Sequence, residues 1–276
     1  MATDLSGRVA LITGGARGQG RSHALTLARA GADIAVCDAC RPFDSVLYDM
    51  PDEDDLAETK KLVEELGRRC VAVKADVTVA AEVEDFVSTT ISELGRIDFV
   101  VANAGIFSPG GPLWEISEQR FDETMAVDAK GVWLTIKYAV PHMLERRSGS
   151  IVLTSSMAGL EGNPNIGHYV AAKHAVVGLM RSLANEVGPY GIRVNALNPG
   201  TVNTKMVNFP AQYKLFNPDN PTEQGMLDVM EGMQLLPGPF TEVEDQSNAV
   251  LWLCSDESRM VSGITLPVAG GANVMK

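Results

Sequence analysis

Tyr169 and Lys173 stand four residues apart in Tyr169-Val-Ala-Ala-Lys173, so on a helix they share one face. A phenol titrates near pH ~10 and is a poor proton-transfer group at neutrality unless its surroundings change that. An ammonium one turn away stabilises the phenolate and is expected to shift the tyrosine downward. Ser156 precedes Tyr169 by 13 residues (169 − 156 = 13), and its hydroxyl can bond a substrate oxygen and orient it. The three groups suit proton exchange at the oxygen of a secondary alcohol or ketone while a hydride moves at the carbon. A lone Tyr-x-x-x-Lys also occurs on ordinary amphipathic helices, so the pair takes its meaning from the rest of the chain.

A second group of residues points to the hydride carrier. Thr13-Gly-Gly-Ala-Arg-Gly-Gln-Gly20 follows a short apolar run and precedes a helical pattern. Gly14 allows a tight turn, Gly18 lets backbone approach a pyrophosphate, and Gly20 permits close packing of helix on strand. Arg17 and Gln19 lie in the same loop, and the helix behind it offers free N–H groups to phosphate. Asp38 ends the next apolar run, 24 residues past Gly14 (38 − 14 = 24). A carboxylate there accepts the adenosine ribose hydroxyls and repels a 2′-phosphate, which favours NAD. Arg17 and Arg41 argue the other way, since a guanidinium can accommodate that phosphate. Asp76-Val77 and Asn103-Ala104-Gly105 close two further strands and are expected to wall the adenine and ribose.

Those residues need a scaffold. Strands are expected at Arg8–Thr13, Ile34–Cys37, Val71–Ala75, Ile97–Ala102, Ser150–Thr154, Ile192–Leu197 and Ile264–Val268. Helical patterns lie between them at Gln19–Ala30, Asp55–Leu66, Ala81–Leu94, Ser117–Leu144, Tyr169–Val187 and Glu242–Cys254. Strands alternating with helices require right-handed crossovers, hence an α/β fold with a doubly wound parallel sheet of the Rossmann type. The 276 residues contain no repeat or linker and are read as a single domain, residues 1–276. Two connections are longer than such loops need: an insert at 39–54 beside the cofactor loop, and a segment at 205–241.

Composition narrows the partners. A net charge of −12 repels phosphate backbones and anionic lipid, so neither nucleic acid nor membrane is expected. The run Asp52-Glu53-Asp54-Asp55 reads as a solvated stretch. No leader-like apolar segment opens the chain and none approaches the ~18 apolar residues of a spanning helix, so a cytoplasmic location is expected. Cys37 and Cys40 form a C-x-x-C without a second pair to complete a zinc site, and read as incidental thiols. His23, His142, His168 and His174 lack metal-ligand spacing and read as surface or packing residues, so no metal is expected. Trp133 and Trp252 read as core or subunit-interface residues.

Thr13–Gly20, Asn103-Ala-Gly105, Ser155-Ser156, Tyr169-x-x-x-Lys173 and Pro199-Gly200, in that order, resemble the short-chain dehydrogenase/reductase family from about Gly7 to Gly271. The resemblance implies that Ser156, Tyr169 and Lys173 form a catalytic triad, that Lys173 also binds the nicotinamide ribose, and that Pro199, Val202 and Thr204 border the carboxamide. It also implies a homotetramer joined through the helices at 117–144 and 169–187. One departure stands out. Asp128, in Val127-Asp-Ala-Lys-Gly131, occupies the place of the family's asparagine, the fourth member of a proton relay. It can accept the same hydrogen bonds but, ionised, cannot donate them, and it favours the charged form of Lys173.

A narrower likeness joins Gly15-Ala-Arg-Gly-Gln-Gly-Arg-Ser-His-Ala24, the insert after Asp38, and Ala172-Lys-His-Ala-Val-Val-Gly178 to the mycofactocin-coupled, carveol dehydrogenase-like subgroup. That likeness implies NAD too tightly held to exchange, covered by the insert, and reoxidised in place by a peptide-derived redox carrier. The 205–241 segment is then a substrate lid. Its Met206, Phe209, Leu215, Phe216, Met226, Met230, Met233, Leu235 and Leu236, with Met157, Leu160 and Trp114, are expected to wall an apolar, terpenoid or cyclic alcohol. The rivals are a freely exchanging NAD(P)H-dependent ketone or 3-oxoacyl-thioester reductase and, outside enzymes, a dinucleotide-sensing module. The reductase predicts an exchanging cofactor. The module predicts loss of the tyrosine or lysine, and both are present.

Overall fold

The apolar runs at 9–13, 33–38 and 99–102 lack polar alternation because both of their faces are covered. A computed structural model describes residues 3–275 and joins seven such runs into one sheet. The strands are β1 (Val9–Thr13), β2 (Asp33–Asp38), β3 (Cys70–Lys74), β4 (Phe99–Ala102), β5 (Gly149–Thr154), β6 (Ile192–Pro199) and β7 (Thr265–Val268). Their order is β3-β2-β1-β4-β5-β6-β7 and every pairing is parallel. The chain therefore winds outward from β1 in one direction and from β4 in the other. The crevice between the carboxyl ends of those two strands is the switch point where such folds place ligands.

Helices cover both faces. α1 (Gly18–Arg29), α2 (Glu53–Glu65) and α9 (Val243–Cys254) flank a core containing Leu27, Val63, Ile12, Val152 and Leu253. α3 (Ala80–Leu94), α5 (Val132–Arg146) and α6 (Gly167–Val187) enclose a second core around Phe86, Met143, Leu153 and Met180. The acidic run is partly structural. Asp52 caps α2, its carboxylate accepting the Asp55 N–H at 2.9 Å, while the Asp55 side chain accepts the Asp52 N–H. Such a cap contributes about 1 kcal/mol.

Two expectations need correction. The helix read at 117–144 is two helices, α4 (Glu118–Met125) and α5, joined by a wider π turn at Ala126–Gly131. The π turn keeps the chain helical while adding a residue, so reading the segment as continuous helix missed the break. The insert is shorter than 39–54, because α2 already begins at Glu53, leaving 39–52 irregular. The long connection after β6 contains helices α7 (Pro210–Phe216) and α8 (Glu223–Met230).

Candidate active site

The glycine loop turns at the end of β1 under tight steric constraint. Gly14 has φ of +69°, and a Cβ there would sit 2.8 Å from Ala104 Cα. A Cβ on Gly20 would lie 2.0 Å from the Gly14 carbonyl oxygen. Asn103 and Thr13 tie this loop to the end of β4. The Asn103 amide donates to the Thr13 and Gly14 carbonyls at 3.1 and 3.3 Å, and Thr13 Oγ1 accepts the Asn103 and Ala104 N–H groups, both at 3.1 Å.

The space above these strand ends is a cavity of about 550 Å³ lined by Gly14, Arg17, Gly18, Gln19, Gly20, Asp38, Asp76, Val77, Asn103, Ala104, Gly105 and Thr204. Asp38 is buried at the end of β2 and accepts the Ala16 N–H at 3.2 Å. Both arginines that might have met a 2′-phosphate are engaged elsewhere. Arg41 pairs with Asp76, its Nε 2.8 Å from Oδ2, and stacks 4.0 Å over the Phe43 ring. Arg17 donates to the Asp49 carbonyl and so fastens the insert to the glycine loop. Phe43, Tyr48, Met50 and Pro51 of the insert line the same cavity.

A second cavity, of about 410 Å³, shares Gln19, Asn103, Gly105, Ile106, Thr204 and Met206 with the first. Ser156, Tyr169, Lys173, Asp128, Pro199 and Val202 line it. Every residue expected from sequence to act in catalysis or to hold the cofactor thus lies on one cavity or both.

Local structure explains how these side chains meet. Ser156 follows β5 and starts a short turn, its Oγ accepting the Ala158 N–H at 3.1 Å. Asn198 on β6 donates to the Ser156 carbonyl at 2.7 Å, and Ser155 Oγ donates to the Lys173 carbonyl at 2.9 Å, locking that turn against α6. Tyr169 and Lys173 occupy the first two turns of α6, with the Lys173 Nζ 5.4 Å from the phenol ring centroid. Phe107 packs its edge on the Tyr169 ring at 5.0 Å. The π turn delivers Asp128 to the lysine. Its Oδ2 is 3.1 Å from Nζ, and its Oδ1 accepts the Ile106 N–H at 2.8 Å. Lys173 also donates to the Thr154 carbonyl at 3.3 Å.

This electrostatic setting corrects the expected shift of the phenol. Burial pushes Tyr169 above the ordinary tyrosine value; Lys173 pulls it down, and the Asp128 carboxylate pushes it up again. The net direction is upward. Lys173 is held in its charged form, because the carboxylate of Asp128 and the phenol outweigh the burial that acts against the ammonium.

Several expected wall residues lie elsewhere. Met157, Met206, Leu215, Phe216, Met230 and Met233 do line the second cavity. Phe209 instead packs its ring on Tyr48, Met226 is buried inside the lid, and Leu160 packs against the core around Met180. Trp114, Leu235 and Leu236 are exposed. Trp133 is also exposed on α5, whereas Trp252 packs against the core beside α9. Sequence reading missed Tyr48 and Gln212, since neither belongs to a motif; their only signal was membership of an overlong connection. Among the described residues there is no cluster of His, Cys, Asp and Glu able to hold a metal, and no helix long and apolar enough to cross a membrane.

Comparison with known proteins agrees with this architecture. Residues 14–273 match the family model described as enoyl-(acyl carrier protein) reductase. The chain is 45% identical to the (−)-trans-carveol dehydrogenase of Rhodococcus erythropolis over 98% of its own length and 99% of the relative's. The crystal structure of carveol dehydrogenase from Mycobacterium avium in complex with NAD superposes with a TM-score of 0.97 at 45% identity, covering 99% of this chain and 100% of that one. A short-chain dehydrogenase from Mycobacterium paratuberculosis bound to NAD gives a TM-score of 0.88 at 38% identity, covering 99% and 100%. The protein belongs to the short-chain dehydrogenase/reductase family and is an oxidoreductase of that family.

Proposed function

We propose that this protein interconverts a hydrophobic secondary alcohol and its ketone with NAD as hydride carrier and Tyr169 as the group that exchanges the proton. The observation that carries the reading is the position of Tyr169, Lys173 and Ser156 on a cavity sharing a wall with the glycine-loop cavity. The glycine-loop cavity fits a dinucleotide on its own features: a tight loop in which a Cβ on Gly14 or Gly20 would strike backbone, and a carboxylate at the end of β2. Gly14, Arg17, Gly18, Gln19 and Gly20 would hold the pyrophosphate, Asp38 the adenosine ribose, and Asp76, Val77, Asn103, Ala104 and Gly105 the adenine side. Lys173 would hold the second ribose, with Pro199, Val202 and Thr204 at the nicotinamide carboxamide. Arg17 and Arg41 are tied to Asp49 and Asp76, which supports NAD over its 2′-phosphorylated form. When bound, NAD supplies the carbon that accepts or delivers hydride.

The chain's own residues handle the oxygen. Ser156 bonds and orients it, and Tyr169 gives up or takes its proton. A phenol held above its ordinary value is protonated at neutral pH and ready as an acid for ketone reduction. Alcohol oxidation needs the phenolate, so its rate rises with pH. Lys173 keeps the phenolate accessible, and Asp128 fixes Lys173 in place while weakening its pull.

The apolar wall of Met157, Leu215, Phe216, Met230 and Met233 suits a cyclic or terpenoid alcohol. The carveol dehydrogenase relatives support the same class. The insert at 39–52 serves as a cover over NAD and the lid at 205–241 as a cover over substrate, with reoxidation in place by a mycofactocin-type carrier. Phe121 and Trp133, exposed on α4 and α5, suit burial in a homotetramer. Purification without added cofactor, followed by denaturation, tests the reading. One NAD released per chain, and reduction of that bound NAD on adding carveol, is the expected result. An empty protein that turns over only with free NADP would point to an exchanging reductase instead.

A further inference from the structure

The lid brings a buried polar side chain to the substrate cavity that the catalytic groups do not explain. Gln212 lies on α7, within the lid, and is 4% exposed. Its backbone N–H donates to the Phe209 carbonyl at 3.0 Å, but its side-chain Oε1 is buried without a partner. Gln212 lines the second cavity beside Leu215, Phe216, Met230 and Met233. Leaving an acceptor buried and unmatched costs about 1–3 kcal/mol. An apolar side chain of equal length would line that wall without the cost, so the amide fits a cavity whose occupant brings a polar group.

We propose that Gln212 recognises a second hydroxyl of the substrate, making the preferred ligand a cyclic diol or hydroxy-ketone rather than a simple alcohol. The reacting carbinol sits at Tyr169 and Ser156, and the second hydroxyl bonds the Gln212 amide from the lid side. This rests on the reading of the cavity as an alcohol site and adds a determinant of specificity to it. A buried group built to bond a substrate hydroxyl discriminates strongly against an analogue lacking it, because the analogue leaves the protein atom unpaired. An apolar wall discriminates far less.

Cyclohexanol, cyclohexane-1,3-diol and cyclohexane-1,4-diol separate the possibilities when kcat/KM is measured for the wild type and for Gln212→Met. At least one diol should exceed cyclohexanol by about 10- to 100-fold in the wild type, and the ratio should fall to about one in the variant. A wild-type ratio near one, or a ratio unchanged by the substitution, overturns the proposal. Binding of the same three compounds to NAD-loaded protein, measured by calorimetry, keeps the test independent of turnover. A diol preference in binding that Gln212→Met abolishes, without turnover of any of the three, would sink the redox reading and leave the role of Gln212 standing. Equal binding of all three, or none, removes that role.

Discussion

The ring of Tyr48, in the insert over the cofactor cavity, packs 5.2 Å from the ring of Phe209, in the lid over the substrate cavity. The Tyr48 hydroxyl also accepts the Phe107 N–H at 3.4 Å, and Phe107 in turn packs on Tyr169. The insert and the 205–241 segment therefore brace one another beside Tyr169. Tyr48→Ala removes this half-buried aromatic contact, of a kind that contributes about 1 kcal/mol beyond the area it covers. Release of bound NAD, followed by loss of protein-bound nicotinamide on dialysis, should quicken by about 10- to 100-fold. Tyr48→Phe keeps the ring and should retain cofactor like the wild type. Equal retention by all three would show that the insert does not hold the dinucleotide.

Tyr169→Phe deletes only the hydroxyl. Turnover should fall by at least about 10³-fold, while the NAD content of the purified protein and its thermal midpoint stay close to wild type. Retained activity would assign the proton transfer to another group.

In the proposed mechanism Asp128 raises the pH at which the phenol gives up its proton. The charged groups facing Tyr169 are the Lys173 ammonium, which lowers it, and the Asp128 carboxylate, which raises it. Asp128→Asn removes the raising influence and keeps the Ile106 hydrogen bond available. The acid limb of the pH profile for alcohol oxidation should move to lower pH by about one unit, because the phenolate then persists further down. A limb that stays in place, or moves up, contradicts this account.

His23 makes a stability prediction away from the site. It is fully buried on α1, its Nδ1 2.9 Å from Ser247 Oγ on α9, and burial depresses it from 6.5 to about 3. The folded state holds the ring neutral, while the unfolded chain protonates it below about pH 6.5. Its contribution is therefore complete above that pH and is lost as pH falls toward 3, by about 1.4 kcal/mol per unit. The thermal midpoint of the wild type should drop over this window, and that of His23→Gln should drop less steeply. Parallel slopes would place the acid sensitivity elsewhere.

What sequence could and could not reveal follows from which interactions are local. The glycine loop, Asp38 and the Tyr169–Lys173 pair depend on spacing within a single strand–turn–helix unit, so their positions were legible. The parallel, doubly wound sheet was legible because unbroken apolar runs separated by helices leave few topologies, whereas the strand order came only from the folded chain. The upward shift of Tyr169 was not, since it comes from burial and from a carboxylate 41 residues away (169 − 128 = 41) that reaches the lysine through a π turn. The engagement of Arg41 with Asp76, and of Tyr48 with Phe209, joins segments whose meeting only the folded chain determines. Leu235 and Leu236 looked like wall residues by type, yet they lie on the solvent side.

Gln19, Asn103, Gly105 and Thr204 form a party wall between two chambers. On the proposed reading a change there alters the seat of the dinucleotide and the seat of the alcohol together, so it must suit both at once. Gln212, Leu215 and Met233 border only the outer chamber. Divergence toward new alcohols is accordingly freest in the lid, where a replacement leaves the hydride carrier undisturbed.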